Sequence, residues 1–208
     1  MGNAKCDQPV GVFDSGVGGI SVLKELYQVM PQEHYIYFGD SKNAPYGTRP
    51  VEEIRSLTIA NVKFLLEQGV KGIVVACNTA TAAAVRTLRG MYPDIPLVGI
   101  EPAVKPAALQ AGHPTILVMA TPMTISGDKY KTLMMRYEQK ADIIGLPCPG
   151  LVEFVETGNT DGADLKVFLE NLLAPYLREI DSIVLGCTHY PFVRRLIQEI
   201  AGERVRIF

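Results

Sequence analysis

Gly72-Ile-Val-Val-Ala-Cys77-Asn-Thr79 and Ser182-Ile-Val-Leu-Gly-Cys187-Thr-His189 are the two stretches from which the rest of the chain is read. Each is a continuous apolar run that ends in a cysteine followed by polar residues, and the two cysteines lie 110 positions apart. A run that does not alternate with polar residues is how a parallel strand covered by helices on both faces reads. Ile73–Ala76 and Ile183–Gly186 are therefore expected strands. The same reading gives strands at Val10–Phe13, Tyr35–Phe38, Leu97–Ile100, Thr115–Met119, Ile143–Leu146 and Val205–Phe208. Between them lie helical patterns. Ile20, Leu23, Leu26, Tyr27 and Met30 form one face; Pro50 suits a first helical position ahead of Glu52 and Glu53. That second helix carries Ile54, Leu57, Leu65 and Leu66 and ends near Gly69. Leu165, Phe168, Leu169, Leu172, Leu173 and Tyr176 make a third face, and Pro191 opens a fourth helix that ends at Gly202. Strand–helix alternation predicts an α/β fold with parallel sheets.

The echo extends further. Gly11-Val-Phe-Asp14-Ser15 and Leu117-Val-Met-Ala-Thr121 each end a strand in polar residues. Two similar three-layer αβα lobes with mainly parallel sheets would explain it. Pro93 and Pro96 flank a strand near Asp94–Ile100, which places the lobes at 1–97 and 98–208, with the last strand a candidate to return to the first lobe.

Composition sets the bounds. A chain of 208 residues fits one to two domains. Its 48% hydrophobic and 20% charged residues exclude bulk disorder. A net charge of −2 gives no reason to expect direct nucleic-acid binding. The longest apolar runs, Gly72–Cys77 and Ile116–Ala120, fall far short of the ~18 residues a membrane span needs. Lys5 leads only into Val10–Phe13, too little for a secretory signal, and Met1–Cys6 departs from the myristoylation pattern and reads as an ordinary start. The four cysteines show neither disulfide-scaffold nor zinc spacing. The expectation is a cytoplasmic protein with reduced thiols and no metal.

In open α/β sheets, ligands bind outside the carboxyl ends of the strands. Cys77 and Cys187 both fall there, ahead of helices, where a helix N-terminus is expected to lower a thiol pKa from about 8.5 towards 7 or below. Either cysteine alone reads more readily as an inert core residue; two at equivalent places weaken that reading considerably. Asp14-Ser15-Gly16-Val17-Gly18-Gly19 joins a strand to a helix through a glycine-rich turn. It matches neither the dinucleotide fingerprint nor a phosphate loop. It is a tight turn or a carboxylate site, and Asp14 beside the glycines could pair with an ammonium or orient a base. Gly39-Asp-Ser-Lys-Asn-Ala-Pro-Tyr46-Gly47 is a polar loop with no signal of its own. His189, two residues after Cys187, could activate that thiol or simply belong to a helix start. Glu153 and Glu156 share one helix face. Cys148 reads as structural, Cys6 as incidental, and His34 and His113 as surface residues.

Two matched thiols suit chemistry on two faces of one small molecule. One thiolate removes a proton while the other thiol delivers one, which inverts a stereocentre and needs a base and an acid of the same kind. A nucleophilic hydrolase needs one cysteine and an oriented base. A redox pair needs the two sulfurs within bridging distance.

The ordered set Asp14-Ser-Gly-Val-Gly-Gly19, Ala44-Pro-Tyr-Gly47, Cys77-Asn-Thr-Ala80, Gly99-Ile-Glu-Pro102, Ala120-Thr-Pro122 and Cys187-Thr-His-Tyr-Pro191 closely resembles the cofactor-independent glutamate racemases of the aspartate/glutamate racemase superfamily. The resemblance implies interconversion of L- and D-glutamate for peptidoglycan, without pyridoxal phosphate or metal, at a site between two α/β lobes, often in a homodimer. It implies that Cys77 deprotonates D-glutamate and Cys187 L-glutamate, and that Asp14 and His189 assist them. Glu156 matches a further acid on the His189 side, with Glu153 nearby in the same alignment. Ser15, Tyr46, Gly47, Asn78, Thr79 and Thr188 match positions that hold the substrate's carboxylates and ammonium, as do Asp14 and His189. Family members continue beyond the strand at Val205–Phe208 with helical sequence that packs on the first lobe, so the resemblance implies a bare sheet edge and lower stability here. Every matched site residue precedes Phe208.

Three other readings stay open: a racemase for aspartate or another amino acid, within the same class, and from other classes a glutamate-binding relative without catalysis or a thiol redox protein. His189 favours glutamate, because the aspartate relatives typically carry Glu at that position. A thiol redox protein would form a Cys77–Cys187 disulfide.

Overall fold

Alternating helices and strands fill residues 7–208, the part of the chain that the computed structural model describes. The Met1–Cys6 opening, with Cys6 and Lys5, lies outside the described residues. The chain divides into two compact units, the first running to Glu101 and the second from Pro102 to Phe208.

In the first unit, β1 (Val10–Asp14), β2 (Tyr35–Gly39), β3 (Gly72–Val75) and β4 (Leu97–Gly99) form a parallel sheet in the order β2-β1-β3-β4. Helices α1 (Ile20–Val29), α2 (Val51–Glu67) and α3 (Asn78–Met91) connect them. The expected boundary at 97/98 would cut β4, whose residues pair with β3 from Ile73↔Leu97 to Val75↔Gly99 and so belong to the first sheet.

In the second unit, β5 (Thr115–Ala120), β6 (Asp142–Pro147), β7 (Ser182–Leu185) and β8 (Arg206–Ile207) repeat the pattern as β6-β5-β7-β8. Its helices are α4 (Val104–Ala108), α5 (Pro122–Ser126), α6 (Asp128–Met135), α7 (Leu151–Glu156), α8 (Ala163–Leu173) and α9 (Arg194–Ala201). The last strand does not return to the first sheet. It pairs with β7 through Ser182↔Arg206 and Ile183↔Ile207.

The unbroken apolar runs have their expected cause. Ile116 and Val118 pack on one face of the second sheet with Val104, Ala107, Tyr130 and Leu133. The alternate residues Leu117 and Met119 are equally buried on the other face. Helix α8 buries the predicted Leu165, Leu169 and Leu173, and α2 buries Ile54 and Leu65 together with Thr58 and Val62. Pro50 is the N-cap of α2, one position before its expected place. Helix α1 departs from its predicted face. Val22, Leu23 and Leu26 pack on Val12, Val74 and Ala76, while Ile20, Tyr27 and Met30 are exposed. The fourth helix begins as a 3-10 turn, Tyr190–Val193, before α9 takes over. Among the described residues no helix is long and apolar enough to cross a membrane.

In each sheet the chain reverses its direction of progress beside the first strand, between β1 and β3 and between β5 and β7. Such a reversal opens a crevice at the strands' carboxyl ends. Phe13 pairs with Val75 and Met119 with Leu185, and in both cases a cysteine follows two residues later.

Candidate active site

Asp14 is the last residue of β1 and is fully buried. Its Oδ1 accepts the Gly16 N–H at 3.0 Å, which folds the glycine-rich segment back over the strand end. The Tyr37 hydroxyl donates to the Gly16 carbonyl. Two glycines here serve close approach. A Cβ on Gly19 would lie 2.4 Å from the Asp14 Cβ, and one on Gly39 would lie 2.5 Å from the Gly16 carbonyl oxygen. The segment is a tight turn that encloses a buried carboxylate.

Cys77 is the N-cap of α3, with extended backbone (φ −80°, ψ 121°). Its Sγ accepts the Ala80 N–H at 3.3 Å, and its thiol donates to Ser15 Oγ at 3.5 Å. The expected lowering of its pKa does not occur. Burial, and then the charge of Asp14, push the thiol up to about 11 against the opposing bonds from Ser15, Ala80 and Thr79. The helix end is present, but desolvation of a small anion outweighs it. Next to it, Asn78 and Thr79 are buried, and the Asn78 side-chain oxygen has no hydrogen-bond partner among the described residues. A buried acceptor left in this state invites a donor.

Tyr46 and Gly47 are buried in a 3-10 turn, Tyr46–Thr48, that packs on α3. The Tyr46 hydroxyl donates to Asp40 Oδ2 at 2.6 Å, and Asn61 Nδ2 on α2 reaches both of those oxygens at 3.0 Å. Burial, and then Asp40, hold the phenol protonated well above its ordinary range; a smaller contribution comes from Cys77. Sequence reasoning did not single out Asp40 or Asn61. The signal available was a polar residue on the buried stripe Ile54, Thr58, Asn61, Leu65, at helical spacing.

In the second unit, Cys187 and His189 are both buried. Cys187 Sγ lies 3.7 Å from His189 Nδ1, and His189 Nε2 lies 2.5 Å from Glu156 Oε1 at the end of α7. A carboxylate only accepts, so Nε2 carries the proton, and Nδ1 is left to take one from the thiol. Once it has done so, the Glu156 charge stabilises the imidazolium. Glu153, by contrast, is exposed. Thr188 is buried beside this pair in the sequence. Cys148 donates to the Leu146 carbonyl at 3.3 Å, and burial pushes its thiol up to about 12. His34 and His113 are exposed. The described cysteines Cys77, Cys148 and Cys187 are thiols, not disulfides.

Asp14, Ser15, Tyr46, Gly47, Cys77, Asn78 and Thr79 thus lie in the first unit, and Glu156, Cys187, Thr188 and His189 in the second. The sequence model of the Asp/Glu/Hydantoin racemase family matches residues 16–206. The chain is 55% identical over 200 residues to a glutamate racemase of Clostridium perfringens, covering 96% of this chain and 77% of that one. Among solved structures it is similar to Escherichia coli glutamate racemase in complex with L-glutamate and the activator UDP-MurNAc-Ala. There the TM-score is 0.88 at 33% identity, over 97% of this chain and 76% of that one. It is also similar to Francisella tularensis glutamate racemase in complex with D-glutamate, with a TM-score of 0.82 at 33% identity, over 97% and 76%.

Proposed function

Because the chain belongs to the Asp/Glu/Hydantoin racemase family, it is an isomerase, and we propose that it interconverts L- and D-glutamate with Cys77 and Cys187 as the two bases. The observation that carries this reading is the equivalent placement of the two thiols, each two residues beyond the strand position that pairs with the sheet's first strand. Each also has a proton-handling neighbourhood of its own. Cys77 takes the α-proton of D-glutamate and Cys187 that of L-glutamate, and in each direction the other thiol returns a proton to the opposite face. The product supplies peptidoglycan synthesis in the cytoplasm.

The protonated state of Cys77 has to be reconciled with a role as base. With its pKa at about 11, generating the thiolate near pH 8 costs about 4 kcal/mol. The substrate's ammonium offsets part of that cost. Asp14 is the carboxylate that disfavours the thiolate, and an ammonium bound to it cancels that charge. The thiolate is then less disfavoured with substrate bound, while burial, the larger cause, remains. Ser15, Asn78 and Thr79, with the Tyr46–Gly47 turn, supply polar contacts to the substrate, and Thr188 does so from the second unit. Their hydrogen bonds to the carboxylate stabilise the charge that develops as the α-proton leaves. At Cys187, His189 receives the thiol proton and Glu156 holds the resulting imidazolium.

The test is NMR of L- and D-glutamate with the protein in deuterated water. Loss of the α-proton signal with inversion, reduced about 10²-fold or more in Cys77→Ala and in Cys187→Ala, is the expected result. Faster turnover of aspartate than of glutamate would assign a different substrate. Glutamate binding with neither exchange nor inversion would remove the catalytic reading.

A further inference from the structure

Asp40 carries a buried carboxylate that the proposed chemistry does not use. It is 7% exposed and follows directly on β2, with its backbone N–H bonded to the Asp14 carbonyl at 3.0 Å. Its side chain accepts from Asn43 Nδ2 at 2.9 and 3.0 Å, from the Tyr46 hydroxyl at 2.6 Å and from Asn61 Nδ2 at 3.0 Å. These donors are neutral, and they come from three places in the chain: the 3-10 turn Ser41–Asn43, the turn Tyr46–Thr48 and the middle of α2. Burying a carboxylate costs free energy that must be recovered through its hydrogen bonds. A charge-assisted bond of this length to a phenol is stronger and more directional than a neutral one. The Tyr46 hydroxyl, which donates to Asp40 and accepts from Asn61, is fully engaged.

We propose that Asp40 is a positioning residue, whose carboxylate locks the Tyr46 phenol and thereby holds the Tyr46–Gly47 turn against the end of α3 that bears Cys77. The inference rests on reading that turn as part of the glutamate site. Asp40 does not touch substrate; it fixes the placement of a segment that does. Its loss therefore weakens binding more than turnover.

The experiment compares Asp40→Ala, Asp40→Asn, Tyr46→Phe and the Asp40→Ala/Tyr46→Phe double variant with the wild-type chain, using racemisation kinetics and thermal melting. In Asp40→Ala, KM for both enantiomers is expected to rise about tenfold while kcat changes less than about threefold. Asp40→Asn keeps an acceptor for the phenol and is expected to recover most of the loss. The double variant is expected to be no worse than Asp40→Ala, since both changes remove one coupled interaction. Wild-type KM in a folded Asp40→Ala variant, or losses that multiply in the double variant, overturns the proposal. If Asp40→Ala does not fold, the comparison rests on Asp40→Asn and Tyr46→Phe, and unaltered KM in both overturns it. A readout independent of activity is hydrogen exchange at the Arg49 amide, which bonds the Tyr46 carbonyl at 3.1 Å. Faster exchange in Asp40→Ala is expected without substrate. Unchanged exchange overturns the positioning claim. A wild-type chain that racemises nothing overturns the glutamate reading, and the exchange measurement still decides the role of Asp40.

Discussion

The buried carboxylate of Asp14 disfavours ionisation of the Cys77 thiol, against a helix N-terminus and a serine hydroxyl that favour it. Burial and Asp14 together win, so the resting group is a thiol. A permanently ionised sulfur in this pocket would be open to oxidation and alkylation. A resting thiol avoids both, and a cation that neutralises Asp14 removes one of the two causes that keep it protonated.

Alkylation of Cys77 by iodoacetamide, followed by peptide mass spectrometry, tests this directly. Without substrate the rate is expected to be slow at pH 7.5 and to climb about tenfold per pH unit to beyond pH 10, following the thiolate fraction. In Asp14→Asn the curve is expected to move to lower pH while racemisation falls. Rapid labelling of the wild type at neutral pH would refute the resting thiol. The same shift links to stability. A thiol held above its ordinary value of 9.0, at about 11 in the folded chain, contributes stability that is complete below about pH 9 and is lost as pH rises through about 11.

Glu156→Gln separates charge from geometry at the Cys187–His189 pair. The amide oxygen still accepts from His189 Nε2, but the imidazolium loses its counter-charge. Turnover is expected to fall roughly 10²-fold, with the melting temperature little changed because the amide keeps the hydrogen bond to His189 at this partly buried position, where the side chain is 16% exposed. Glu153→Gln, at an exposed position, serves as the control and is expected to leave turnover within about twofold. Equal effects of the two substitutions would remove Glu156 from the relay.

Gly39→Ala places a methyl group 2.5 Å from the Gly16 carbonyl oxygen, so a backbone has to move. The displaced segment carries the Asp14 turn. A loss of about 1–3 kcal/mol of stability is expected, as for overpacking elsewhere, together with weaker glutamate binding by calorimetry. Unaltered melting and binding would show that the segment yields at no cost. Gly69→Ala, with φ +77° and open space around it, probes backbone strain alone and is expected to spare binding.

The strands were legible because a parallel strand buried on both faces has to be apolar throughout, and Ile73–Ala76 or Thr115–Met119 admit no other reading. Helix α3 was not among the faces read from the sequence. Its buried side is built from Ala80, Thr81, Ala83 and Ala84 as much as from Val85 and Leu88, and small residues mark a face less plainly than leucine or isoleucine. Asp14, Cys77 and Cys187 stood out because they fall at the carboxyl ends of strands, where ligands bind in open α/β sheets. The Asp40–Tyr46–Asn61 network was invisible because it joins a loop to a helix 21 residues later, and no periodicity encodes such a contact. The direction of the Cys77 shift was misread for a related reason: sequence shows the helix end but not the depth of burial.

The two thiols have unlike company, a serine and a helix end at Cys77 and an imidazole–carboxylate pair at Cys187. For mirror-image molecules in water this asymmetry has a thermodynamic limit. L- and D-glutamate have the same free energy, so detailed balance requires kcat/KM to be identical in the two directions, whatever surrounds each sulfur. The difference between the two surroundings can appear only in how that fixed ratio is divided. The enantiomer with the lower KM must turn over more slowly, by the same factor.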